Sequence, residues 1–326
     1  MNIAIVILNW NGKKLLEQFL PSVVQHSNDA DIYVADNAST DTSITFINRQ
    51  FPEVTIIKNS KNEGYAKGYN SALKHVKADV FCLLNSDIEV TPNWLIPIIL
   101  EYNNTPSTAI IQPKILDYHN KSSFEYAGAG GGFIDKYGYS YCRGRIFDTI
   151  EKDTNQYNDT SPIFWASGAC FFIKKSTFEA LKGFDETYFA HFEEIDLCWR
   201  AFNMGFKTTY VGTSTVYHVG GATLNAIHPK KTYLNFRNNL FTITKNAKGF
   251  LFGIIFIRLV LDGIAALKFI FDLKFTHCIA IVKAHLMYYS HLPRLLVLRK
   301  TLPKQTNYYQ KRSIVWSYFI KREHYF

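Results

Sequence analysis

No cysteine of this chain stands in a CxxC pair. The five present, Cys82, Cys142, Cys170, Cys198 and Cys278, are odd in number and scattered, which predicts reduced, buried thiols in a cytosolic protein. Nor is a signal peptide expected. Ile3–Leu8 is too short an apolar run, no basic residue precedes it, and it leads straight into Asn9-Trp10-Asn11-Gly12. No period of self-similarity runs along the sequence. Charged residues are few, 19 % of 326, against 47 % hydrophobic, which suits a packed core and argues against wholesale disorder. The length fits one large domain with an appendage, or two small ones. Positive charge is missing where a nucleic-acid reader needs it: residues 1–230 hold 20 Lys and Arg against 24 Asp and Glu. The excess behind the net charge of +9 lies in residues 231–326, with 16 bases against three acids. A near-neutral body with a basic, apolar tail points to an anionic membrane surface and away from nucleic acid.

Short apolar runs alternate with helical patterns from the start. Strands are predicted at Ile3–Leu8, Ile32–Ala35, Val54–Lys58 and Val80–Leu84. Helices are predicted at Lys13–His26, from Ser39 or Thr40 to Arg49, and at Gly64–Val76. That βαβαβαβ order implies a doubly wound, mostly parallel sheet, whose ligands bind beyond the carboxyl ends of the strands. Further on, Trp94–Tyr102 reads as a helix, Ala109–Gln112 as a strand, Glu125–Tyr141 as strands or a loop, and Asp148–Pro162 as a loop. Phe164–Lys174 reads as a strand, Ser176–Leu181 and Glu193–Met204 as helices, and Lys207–Val211 as a strand. In the tail, Gly249–Phe271 is apolar and about as long as a membrane span, yet it carries Arg258, Asp262 and Lys268. Helical periodicity puts these on one side, with Asp272. The expectation is a helix lying in the membrane interface, with a helix packed on the body and a true span as alternatives.

Five segments carry candidate chemistry. Asp36-Asn37 follows a strand, where a carboxylate can accept from a base or ribose, or simply form an Asx turn. NSKNEGYAKGYN (residues 59–70) opens a helix. Its Gly64 and Gly68 allow close approach of a ligand, and Lys67 offers a countercharge to phosphate; a tight turn is the plainer alternative. Leu83-Leu84-Asn85-Ser86-Asp87 presents an amide and a carboxylate to the crevice, a hard-oxygen site for Mg²⁺ or Mn²⁺ or a solvated turn. FDETYFAHFEEIDLCWR (residues 184–200) clusters Glu193, Glu194 and Asp196 at a helix start. A carboxylate there can serve as general base, or the acids can merely complement the helix dipole. His218, ahead of Gly220-Gly221, can complete a metal shell or be structural.

VILNWN, VADNASTD, NEGYAKGYN, LLNSD, WASGACFFIKK, FDETYFAHFEEIDLCWR and YHVGG occur in one order. Together they resemble the family 2 glycosyltransferases of the GT-A fold, in the rhamnosyltransferase-like or galactofuranosyltransferase-like branch. The resemblance covers about residues 1–245, leaving 246–326 as a membrane-association region. It implies a Rossmann-like doubly wound mixed sheet and an inverting transfer from a nucleotide-diphosphate sugar, UDP- or dTDP-linked. By position, Asp36 and Asn37 resemble the nucleoside pair, with Asn9 near the base. Asn62, Gly64 and Gly68 resemble the nucleotide and pyrophosphate segment. Trp165, Gly168 and Ala169 resemble the sugar and acceptor wall, and Arg237 a basic residue near the donor phosphates. Asp87 resembles the last residue of the DxD-type metal motif, whose first acid is here Asn85, and His218 the metal-ligating histidine. Glu194 matches the catalytic base, usually Asp, beside Glu193, and Asp196 with Arg200 its supporting residues. The implied acceptor is a saccharide, lipid-linked, in bacterial surface polysaccharide synthesis on the inner face of the plasma membrane. The QxxRW signature of processive synthases is absent. A nucleotidyltransferase and a non-catalytic nucleotide-sugar-binding protein are the rival readings.

Overall fold

The computed structural model of the protein describes residues 1–220 and 228–326, so Gly221 of the YHVGG motif lies outside the described residues. Strands and helices alternate at first: β1 (Ile3–Asn9), α1 (Lys13–His26), β2 (Ala30–Asp36), α2 (Ser43–Gln50), β3 (Thr55–Lys58), α3 (Gly64–Ala72, then a 3₁₀ turn at Leu73–His75) and β4 (Val80–Asn85). Next come β5 (Ile88–Val90), α4 (Leu95–Asn104), β6 (Thr108–Asp117) and the short strands β7 (Gly132–Ile134), β8 (Ser140–Cys142), β9 (Arg145–Ile146), β10 (Thr149–Ile150) and β11 (Thr160–Ile163). They lead to β12 (Cys170–Lys174), α5 (Lys175–Ala180), α6 (Glu193–Asn203), β13 (Lys207–His218), α7 (Pro229–Asn246), α8 (Leu251–Phe271), α9 (Phe275–Thr301) and α10 (Ile314–Phe319).

The main sheet runs β11-β13-β6-β12-β4-β1-β2-β3, with β5 added against the end of β13. Strands β4, β1, β2 and β3 are parallel, while β12 runs antiparallel to both β4 and β6, so the sheet is mixed. The buried apolar runs of β1 and β4 are what strands covered on both faces require. Helix α1 covers one face with Leu16, Phe19, Leu20 and Val23. The segment from Gly132 to Ile150 supplies a second sheet, β10-β9-β8-β7. Register decides where the crevice lies. Asn9 pairs with Asp36 and Leu8 with Asn85, so the polar ends of β1, β2 and β4 share one edge.

The expected loop at Asp148–Pro162 carries β10 and most of β11, and the strand expected over Ala109–Gln112 runs on to Asp117. Three further elements differ. The strand expected over Phe164–Lys174 pairs only from Cys170, because Trp165 turns into the core and donates its indole N–H to Phe133 O (2.8 Å). The helix expected from Ser39 or Thr40 begins at Ser43, since Asp36 accepts from Ser39 N (3.0 Å) and Asp41 from Ser43 N (3.0 Å) in the preceding turn. The strand expected to stop at Val211 continues, across an irregularity between Val211 and Thr215, to His218.

The tail departs furthest. The charged stripe of α8, expected on the outer side of an interfacial helix, faces inward. Arg258 Nε donates to Asp262 Oδ1 (2.6 Å) and its Nη1 to Asn239 Oδ1 of α7 (2.6 Å), and His285 Nε2 of α9 lies 3.1 Å from Asp262 Oδ2. Arg258 and Asp262 are buried, and only Lys268 and Asp272 of the stripe stay exposed. Helix α8 is packed on the body through these charges, the buried Ile254 and the partly buried Leu251, Ile255 and Leu259, while the rest of its apolar side points away. Among the described residues no helix is long and apolar enough to cross a membrane.

Candidate active site

The end of β1 holds Asn9 fully buried. Its Nδ2 donates to Asp36 Oδ1, Ser39 Oγ and Ser43 Oγ, each at 3.1 Å. Its Oδ1 has no partner among the described residues, and a side chain at Gly12 would press on that atom at 2.4 Å. Asn9 thus aims Asp36 and keeps one open acceptor. Asn37 ties this edge to α3: its Nδ2 donates to Gly64 O (3.1 Å) and its Oδ1 accepts from Asn59 (2.7 Å). Asn62 Oδ1 accepts from Gly64 N (3.0 Å) at the helix start. Both glycines are required by contact. A Cβ on Gly68 would lie 2.7 Å from Asn37 Nδ2, and one on Gly64, at φ +84°, 2.3 Å from Phe189 O. Lys67 points along the surface and pairs with Glu63 (2.7 Å), so its expected place at phosphate is not where the structure puts it.

Strand β5 brings Asp87 and His218 together, because Ile88 pairs with His218 and Asp87 is the residue before it. His218 Nε2 lies 3.2 Å from Asp87 Oδ1, and its Nδ1 lies 3.3 Å from Glu125 Oε1, a residue with no signal in the sequence. All three are buried. Burial alone would lower the imidazole pKa, but the two carboxylates outweigh it and lift it to about 10. Two carboxylates facing one imidazole leave an excess of negative charge that suits a cation. Oxygen plus imidazole is a donor set that Mn²⁺ or Mg²⁺ accepts, and His218 Nδ1, though close to Glu125, makes no hydrogen bond among the described residues. Among the described residues no group of three or more His, Cys, Asp or Glu is arranged to hold a metal by itself, so substrate oxygens would have to complete the shell.

The acids lie at the start of α6. His191 and Phe192 precede them at φ 69° and 71°, a strained left-handed pair. Asn238 of α7 holds that turn by donating to Ala190 O (3.0 Å) and His191 O (2.6 Å). Glu193 is buried and Glu194 half-buried, and each has an Oε2 with no partner among the described residues. Burial raises the Glu194 carboxyl to about 7 against the pull of the helix N–H groups. Burial first, and then the neighbouring Glu194, raise Glu193 as well. Tyr65, another residue the sequence did not single out, donates to Gly168 O (2.8 Å) and lines the wall beside Glu194. Asn85 N donates to Ala169 O (2.9 Å), so Gly168 and Ala169 join the acid end of the crevice to the Asp87 end.

Two expected positions are corrected, and a third, Asp196, stands apart from the reacting groups. Trp165 is a core ring packed on Gly132 and presents no face to the crevice. Arg237 packs on Tyr233 and Phe241 and donates to Thr187 O (3.3 Å), bracing the acidic loop. Asp196 is sealed from solvent. It accepts from Arg200 Nε (2.9 Å) and Asn246 Nδ2 (2.8 Å) and lies 2.9 Å from Lys245 Nζ, so it anchors the helix. Asp196→Ala should leave Arg200 without its carboxylate, while Lys245 keeps Asp185 (2.6 Å), and destabilise the fold by about 3–5 kcal/mol in urea titration, with little effect on kcat of the folded fraction.

A family model described as "Glycosyl transferase family 2" matches residues 4–182, more than half of the chain. The chain belongs to glycosyl transferase family 2. It is a glycosyltransferase of the GT-A fold. Among characterised relatives, the N-acetylglucosaminyl-diphospho-decaprenol L-rhamnosyltransferase of Mycobacterium tuberculosis is 24 % identical over 256 residues, 71 % of this chain and 82 % of that protein. The low-salt glycan biosynthesis hexosyltransferase Agl10 of Haloferax volcanii is 22 % identical, over 61 % of each chain. Of solved structures, S. aureus TarS 1-349 in complex with UDP-GlcNAc has a TM-score of 0.58 at 12 % identity, covering 91 % of this chain and 84 % of that 1–349 chain. GalNAc-T7 with UDP, GalNAc and Mn²⁺ also reaches 0.58, at 17 % identity; it covers 75 % of this chain, which spans about half of that protein (48 %). The mannosyltransferase PcManGT of Pyrobaculum calidifontis, with GDP-Man and Mn²⁺, reaches 0.55 at 11 % identity over 88 % and 87 % of the chains. Family membership removes the support for the nucleotidyltransferase and non-catalytic readings.

Proposed function

We propose that this glycosyltransferase moves a sugar from a UDP- or dTDP-linked donor to a hydroxyl of a lipid-linked saccharide, with inversion, at the inner face of a bacterial plasma membrane. The observation that carries the mechanism is Glu194: a half-buried carboxyl with an unpartnered oxygen, titrating near 7, at the end of the crevice opposite Asp87. Asn9, Asp36, Asn37, Asn62, Gly64 and Gly68 form the nucleoside and pyrophosphate cradle. Asp87 and His218 would hold a divalent cation, with the Glu125 carboxylate adding negative charge behind the ring. Such a cation, when bound, neutralises charge on the departing diphosphate. Glu194 takes the acceptor hydroxyl's proton as that oxygen bonds to the anomeric carbon. The carbon–oxygen bond to the diphosphate breaks, and its electron pair leaves with the nucleotide. One displacement from the face opposite the leaving group inverts the centre.

The lipid-linked acceptor is motivated by the rhamnosyltransferase relative and by the basic, apolar tail. A panel of nucleotide sugars, scored for Mn²⁺-dependent binding and slow hydrolysis, tests the donor. A UDP- or dTDP-sugar should bind and hydrolyse, and the reading fails if none of the panel does so.

A further inference from the structure

We propose that the outer face of the α8–α9 hairpin is an insertion surface for an anionic lipid bilayer, with its apolar side chains entering the acyl region and its lysines meeting the headgroups. The proposal rests on the membrane-surface reading above and specifies the contact. Phe252, Phe256, Ile264 and Phe271 of α8 are 73, 58, 58 and 84 % exposed, and Leu286 of α9 is 65 % exposed. Along α8 the exposed positions 252, 256, 260, 264, 267 and 271 recur every three or four residues, and on α9 so do 275, 279, 282 and 286. Each set is therefore a single stripe.

The orientation of α8 is the decisive point. A helix facing water gains by turning its charges out and its phenylalanines in. This one does the reverse: Arg258 and Asp262 are buried against Asn239, Tyr139 and His285, and the rings face outward. Burying such charges is costly unless fully paired, as they are here. An apolar medium outside the helix accounts for the arrangement. Among the described residues the exposed charges on α8, α9 and their connection are Lys268, Lys274, Lys283 and Lys300, with Arg294 turned to Asp185 of the body (3.4 Å) and a single acid, Asp272. That balance complements anionic headgroups. A second copy of the chain is a poorer occupant, because a two-fold contact would set these lysines against their own kind. Since no described helix can cross a bilayer, the contact is with one leaflet.

Flotation of the full chain with phosphatidylcholine vesicles, with and without phosphatidylglycerol, tests this. The wild type should float with the anionic vesicles. The triple variant Phe256→Ser, Ile264→Ser, Leu286→Ser should lose at least about tenfold in partitioning, since three exposed apolar side chains no longer enter the acyl region. An environment-sensitive dye at Ile264→Cys in a Cys278→Ser background should shift to the blue on vesicles, and the same dye at Glu17→Cys should not. Equal flotation of wild type and variant, or no flotation of the wild type, overturns the proposal. So does a dimer in ultracentrifugation that the triple variant abolishes, because a second copy would then cover the face. Calorimetry of UDP and Mn²⁺ binding, run in parallel, separates the two readings. Donor binding without flotation sinks the surface alone, and flotation without donor binding sinks the transfer reading alone.

Discussion

Glu194→Gln should lower kcat by roughly 10²–10⁴-fold, the usual worth of a positioned general base, while binding of UDP with Mn²⁺ stays within about twofold of wild type. The amide has the shape of the acid and cannot take the acceptor's proton. Glu193→Gln provides the contrast. Burial and the adjacent Glu194 push the Glu193 carboxyl well above the ordinary carboxylate range, so a neutral glutamine at that position should retain most of the turnover. Equal losses in the two variants would mean that the base is shared or wrongly assigned. The pH profile follows from the same groups. Activity needs Glu194 ionised, so kcat/KM should rise with pH through about 7. Stability runs the other way. Both carboxyls have folded values above the ordinary 4.5, so the folded state is favoured on the acid side and loses stability as pH rises from there through about 7. The two acids titrate as a pair, and the limb belongs to both.

Asp87→Ala should abolish the response to Mn²⁺ and weaken donor binding together. The carboxylate lies 3.2 Å from His218 Nε2, and no other acid stands on that side of the ring among the described residues. Removing one charge-assisted interaction from a diphosphate site costs about 1.5–3 kcal/mol, or roughly tenfold to a hundredfold in Kd. Calorimetric titration with UDP, with Mn²⁺ and with EDTA, measures it. An unchanged Mn²⁺ dependence in the variant would remove Asp87 and His218 from any metal role.

Most of the parallel half of the sheet is legible in the sequence, because apolar runs such as Ile3–Leu8 and Val80–Leu84 have few other places to go in a chain of this composition. The crevice follows from those strand ends. What the sequence does not reveal are groups whose role comes from distant partners. Glu125 has no local signal, since it reaches His218 only after the irregular segment following β6 folds back. Asn238 sits beside Arg237, yet its role depends on the strained turn at His191-Phe192. Tyr65 lies in plain view between Gly64 and Gly68, and a hydroxyl flanked by two close-approach glycines is the signal available. Trp165 misleads because motif position does not report burial, and its ring points into the core. The α8 stripe is one-sided, as its periodicity implies, but the opposite side faces outward, because helical periodicity is blind to which face meets the protein.

The most direct test is the stereochemistry of donor hydrolysis, with water as acceptor, followed by proton NMR from the first minutes of reaction. The account predicts that the first sugar released has the anomeric configuration opposite to that of the donor, and that Glu194→Gln suppresses its appearance. Release of the sugar in the donor's own configuration would contradict single displacement, and with it the role given to Glu194.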